Sequence, residues 1–105
     1  MDNKEAIRRA TDLLRYCGLN DWRVIVVPLI MCDGEEKGGV CRSDSKKIFL
    51  VDWCMENDAN ALRIIRHEVA HAITADEQEH HGPRFNAIVW SLRRWNGLDS
   101  IFESE

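Results

Sequence analysis

All four histidines of this 105-residue chain lie between His67 and His81, inside the stretch IIRHEVAHAITADEQEHHGPRF. Leu62, Ile65, Val69 and Ile73, spaced by threes and fours, demand a helix with an apolar stripe turned to a core. His67 and His71 are four apart, so they share one side of that helix, a turn apart and off the stripe. The polar run ADEQEH then interrupts the pattern, and Gly82-Pro83 opens a second helix with proline at its first position. Phe85, Ile88, Val89 and Leu92 form the apolar stripe of that helix. The segment therefore specifies two helices joined by a short turn, with imidazoles gathered near the junction.

The rest of the chain supplies a layer for these helices to pack on. A helix is expected from about Lys4 to Cys17, with Ala6, Ile7, Ala10, Leu13, Leu14 and Cys17 on one stripe. Asp2 or Asn3 caps its start, and Gly18-Leu19 stops it. Trp22 to Val27 reads as a β-branched strand ended by Pro28, and CDGEEKGG as a loop. Val40 to Arg42 and Lys47 to Val51 form a hairpin turning around SDSK. Asp58 is the expected N-cap of the histidine-bearing helix, and Asn96-Gly97-Leu98 the stop of the last one. The fold class is α+β: an N-terminal helix, a small three-stranded and mostly antiparallel sheet, the histidine-bearing helix and a C-terminal helix. One domain over residues 1–105 is expected, with its core at about 2–97 and a short polar tail at 98–105.

Composition excludes several classes. The net charge is −4, and no run of Lys and Arg interleaved with aromatics marks a nucleic-acid groove. The polar N-terminus does not read as a signal peptide, and the longest apolar run, Val24 to Cys32, is far short of a membrane span. A cytoplasmic protein is expected. Cys17, Cys32, Cys41 and Cys54 contain no C-x-x-C pair, so they read as buried thiols and not as a structural zinc module.

HEVAH points to metal-assisted hydrolysis. His67 and His71 are a ligand pair for one ion. Glu68, one residue on from the first ligand, sits beside the ion, where it can hydrogen-bond a water and take its proton. Zinc is the expected metal, and Glu68 the expected general base. A catalytic zinc needs a third protein ligand. A metzincin pattern is excluded because its positions hold Thr74 and Glu77, and a thermolysin-like glutamate is excluded because only Glu103 and Glu105 lie far enough downstream. His80 and His81 remain, with Glu77 and Glu79 behind them. His81 is favoured because it directly precedes Gly82-Pro83, a sharp helix start that fixes its angle. Arg42, Arg84 and His80 are open as partners for a substrate's carbonyl oxygen.

HEVAH followed by HGPRF resembles the SprT-like zinc metallopeptidase domain, a minimal gluzincin-like protease. GGVCRSDSKKIFLVD agrees with the Gly-containing strand that precedes the metal helix in that family. The resemblance spans about Asp2 to Trp95. It implies His67, His71 and His81 as zinc ligands, Glu68 as general base, and a peptide or protein substrate. Many members carry a C-terminal zinc ribbon and some add DNA-binding segments; neither is expected in a chain that ends at Glu105 with an acidic balance. Two rival readings keep the metal: an interaction module that cuts little, and a zinc hydrolase acting on a non-peptide amide.

Overall fold

The computed structural model describes residues 1–95, so the expected stop at Asn96-Gly97-Leu98 and the tail lie outside the described residues. Helix α1 spans Asn3–Tyr16. The Asp2 carboxylate accepts from the Glu5 N–H at 2.8 Å, as expected of an N-cap. At the other end Gly18 takes a φ of 82°. The Gly18 and Leu19 N–H groups donate back to the carbonyls of Arg15 and Leu14, at 3.0 and 2.8 Å. That pair of bonds is a Schellman stop, and it needs a residue that tolerates the left-handed region.

Strand β1 (Arg23–Val27) is followed by β2 (Met31–Cys32), β3 (Glu35–Glu36), β4 (Gly39–Arg42) and β5 (Lys47–Val51). The three-stranded sheet has the order β1-β5-β4. β4 and β5 form the expected antiparallel hairpin, while β1 joins β5 in parallel. The stretch expected to be a plain loop contains the β2–β3 ribbon, closed at Asp33-Gly34, where both residues have positive φ. A two-residue Asp-Gly turn of that handedness matches the twist of a hairpin, but its flanking strands are too short and polar to show an alternating pattern.

A 3-10 turn (Asp52–Met55) leads into α2 (Asp58–Ile73). Asn57, not Asp58, is the N-cap: its side chain accepts from the Asn60 N–H at 2.9 Å. The difference is one residue, decided by the extended backbone at Asn57. Helix α3 covers Pro83–Ser91. α1 and α2 lie side by side on one face of the sheet, and α3 packs on α2. Ala6, Ala10 and Leu13 of α1, Ile48 and Leu50 of β5, and Ala61, Ile65 and Val69 of α2 meet in the core. Leu62 and Ile73 are only half-buried, whereas Ile64, Glu68 and Ala72 are buried. α2 is covered from two sides, by the sheet and by α3, so its buried arc is wider than a single stripe. The four cysteines are free thiols; Cys54 is buried and the others half-buried. Among the described residues no helix is long and apolar enough to cross a membrane.

Candidate metal centre

α2 carries His67, Glu68 and His71 on the side that faces β4 and the turn before α3. The structure brings His81 to them. Its Nε2 lies 3.0 Å from Nε2 of His71 and 3.3 Å from Nε2 of His67. All three donor atoms fall within 4.8 Å of one another. Nitrogens held tetrahedrally at about 2.0–2.1 Å from zinc are separated by about 3.3 Å. The donor set therefore fits that ion in type, and the two separations that involve His81 fit it in spacing.

Burial moves these rings toward the form a metal needs. The pKa of His71 is lowered to about 4, first by burial and then by the neighbouring His67, His80 and His81. His67 and His81 are lowered for the same leading reason. Neutral imidazoles keep their lone pairs at neutral pH. Phe85 supplies much of the apolar surrounding: its ring centroid lies 4.3, 4.7 and 5.0 Å from those of His71, His81 and His67. Glu68 is 6 % exposed, and burial raises its carboxyl to about 7. A cation placed among the three histidines would offset that burial.

The turn that delivers His81 is held by a residue the sequence offered as a minor candidate ligand. Glu77 does not point at the histidines. Its two carboxylate oxygens accept from the N–H groups of Arg84 and Phe85, at 2.8 and 3.0 Å. Pro83 has no N–H, and Asn86 donates to the Gly82 carbonyl at 3.0 Å. The first turn of α3 is thus fully satisfied, with Glu77 doing what the Gly82 N-cap lacks a side chain to do. Gly82 also makes room, since a Cβ there would sit 2.8–3.0 Å from the Glu77 carboxylate. His81 itself has a φ of 59°, a strained setting for a non-glycine residue that costs about 1–3 kcal/mol and persists only where neighbours enforce it. Asn86 contributes by donating from Nδ2 to the His81 carbonyl at 3.2 Å.

His80 is not part of the trio; its ring stacks on His71 with centroids 4.5 Å apart. Glu79 is exposed on the rim of the cleft. Of the side chains open as carbonyl-oxygen partners, Arg84 is engaged with Asp76 at 2.9 Å. Arg42 pairs in register with Lys47, and Cys41 with the buried Ile48. Alternation therefore turns Arg42 to the face of the sheet away from α2. His80 alone of the three stays at the cleft.

β4 reaches the centre through Gly38 and Gly39. A Cβ on Gly38 would lie 2.8 Å from Ile64, and one on Gly39 would lie 2.9 Å from Ile64, 3.1 Å from Glu68 and 3.2 Å from the Phe49 carbonyl. Only residues without side chains let the edge strand approach α2 this closely. Between them opens a cleft of about 480 Å³ whose walls include Gly39, Cys41, His67, Glu68 and His71. Burial, and then the charge of Glu68, push the Cys41 thiol up to about 12. Sequence reasoning missed Glu77 as an anchor, the aromatic wall and the close β4 approach. Only the Gly-Gly pair left a visible signal. No family model, no curated protein and no solved structure matches the chain.

Proposed function

We propose that the chain is a zinc-dependent metallopeptidase, the activity implied by its resemblance to the SprT-like domain. One observation carries the reading: three imidazole Nε2 atoms converge within 4.8 Å of one another, with a buried carboxyl on the residue next to His67 in the same helix. Zinc, when bound there, supplies a Lewis acid that polarises a carbonyl and acidifies water towards a pKa of about 7. His67 and His71 would hold it from α2, and His81 would close the site from the turn. Glu68 orients the attacking water, takes its proton and passes it to the leaving amine. Among the described residues β4 pairs with β5 alone and forms an edge of the sheet, the place where an extended substrate would add as a further strand. Gly39 keeps that path clear beside Glu68.

The test uses a denatured protein or peptide pool incubated with the zinc-loaded chain and with Glu68→Gln. Zinc-dependent cleavage by the parent, reduced by orders of magnitude in the variant at equal zinc content, supports the proposal. Absence of cleavage by a folded, metallated parent leaves a metal-bound interaction module as the better account. Undiminished cleavage by the variant shows that the activity belongs elsewhere.

A further inference from the structure

The face of the sheet opposite the helices carries a pattern that the metal centre does not use. Val24 and Val26 of β1 and Cys41 of β4 pack on the core, together with the buried Ile48 and Leu50 of β5. Alternation therefore places Arg23, Ile25, Val40, Arg42, Lys47 and Phe49 on the other face. The register aligns them across the strands. Arg23 lies beside Lys47, and Lys47 beside Arg42; one step along, Ile25 lies beside Phe49, and Phe49 beside Val40. The result is a row of three cations next to a row of three apolar side chains, all exposed or half-buried. Both described helices that touch the sheet, α1 and α2, lie on its other side.

None of these cations has an ion-pair partner among the described residues, although Lys46 beside them pairs with Asp21. Like charges directly opposite across strands destabilise a sheet. In a chain of net charge −4, three aligned and unneutralised cations form a local field of the opposite sign, complementary to an anionic partner.

We propose that this face docks an acidic amphipathic helix of a partner protein, laid across the three strands. Spacing selects a helix. Three neighbouring strands place their cations over about 9.5 Å, and carboxylates at i, i+4 and i+7 of a helix span about 10.5 Å. The apolar row runs parallel to the cations at about 6.7 Å, two residues along the strands, within reach of an apolar stripe on the same helix. An extended acidic peptide crossing the strands would present same-side carboxylates about 6.7 Å apart, out of step with the row. A nucleic acid would meet the repulsion of the chain's overall negative charge. The surface meets the peptide path at β4, where Val40 also borders the cleft, but lies on the face of the sheet opposite Glu68 and the histidines.

The test uses the full chain and three probes. One is a labelled amphipathic helical peptide with glutamates at i, i+4 and i+7 flanking a leucine stripe; the others are its lysine-substituted twin and a single-stranded oligonucleotide. Fluorescence anisotropy measures affinity, and backbone NMR shifts locate the contact. The glutamate peptide is expected to bind, its twin not to, with shifts centred on Ile25, Val40 and Phe49. Binding should weaken with salt and fall at least about tenfold in Arg23→Glu/Arg42→Glu. Both positions are exposed, so unchanged circular dichroism and zinc content will show that the variant is folded. The proposal is overturned if the glutamate peptide does not bind, if it shifts another surface, or if the charge reversal leaves its affinity unchanged. It is equally overturned if the oligonucleotide binds this face more tightly, which would make it a nucleic-acid platform. Binding of the peptide only after removal of residues 96–105 would name the chain's own segment with Asp99, Glu103 and Glu105 as the occupant, and would also overturn it.

Discussion

Glu77→Ala tests how the proposed third ligand, His81, is held. Glu77 makes two charge-assisted bonds to the N–H groups of Arg84 and Phe85. Losing a capping carboxylate costs about 0.5–2 kcal/mol in proteins generally, and two bonds to a half-buried group put this case at the upper end, about 2 kcal/mol. The loss falls on the turn that enforces the left-handed backbone of His81. If zinc binding has to restore that turn, the same 2 kcal/mol appears as a roughly thirtyfold weaker zinc affinity, within the range expected for groups that orient metal ligands. Competition titration against a chromophoric chelator measures the affinity, and circular dichroism confirms the fold. In a His81→Ala background, where the turn no longer delivers a ligand, Glu77→Ala should leave the residual affinity unchanged. A zinc affinity within twofold of the parent for Glu77→Ala, with the fold intact, would refute the reasoning. So would an equal loss in both backgrounds, since the carboxylate would then be acting on the metal and not through His81.

Zinc removal should lower the melting temperature, because an ion held by His67, His71 and His81 would tie α2 to the turn before α3; an unchanged melt after verified metal loss counts against the site. His81→Ala should bind zinc far more weakly than His80→Ala, and the reverse order would reassign the third ligand. Gly39→Ala forces a Cβ against Ile64, Glu68 and the Phe49 carbonyl and is expected to cost about 1–3 kcal/mol in denaturant unfolding, with β4 displaced from the cleft. The carboxyl of Glu5 is held at about 2, well below its ordinary 4.5, by hydrogen bonds from Arg8 and then Arg9. A depressed folded-state pKa means stability present above about 4.5 and lost as pH falls towards about 2. Glu5→Gln should therefore melt below the parent at neutral pH, and the gap should close over that interval; a gap independent of pH would show that the charge is not what matters.

Much was legible in the one-dimensional pattern because it depends on local periodicity and capping. The spacing of Ala6, Ala10 and Leu13 gave α1, and the β-branched run gave β1. The apolar spacing around HEVAH gave α2 with two imidazoles a turn apart, and Pro83 gave the start of α3. Helical geometry alone fixes the separation of His67 and His71 and sets Glu68 beside them. The favoured choice of His81 also came from local chemistry, the Gly-Pro step that follows it.

What the sequence could not decide was every relation between segments distant along the chain. The parallel pairing of β1 with β5 follows from how strands and helices stack, not from the composition of either strand. Glu77 looked like a spare ligand because its residue type suits a metal; only the folded turn shows that the backbone N–H groups of Arg84 and Phe85 claim it first. Glu68 lies off the stripe predicted from apolar residues, yet it is buried, because β4 closes over it at Gly39. Arg23, Arg42 and Lys47 lie apart along the sequence, with Arg42 offered as a carbonyl-oxygen partner, and become a single row only in the register of the sheet. Local spacing determines which groups share an element. Tertiary packing determines which of them are desolvated, which are already satisfied, and which are left to act together.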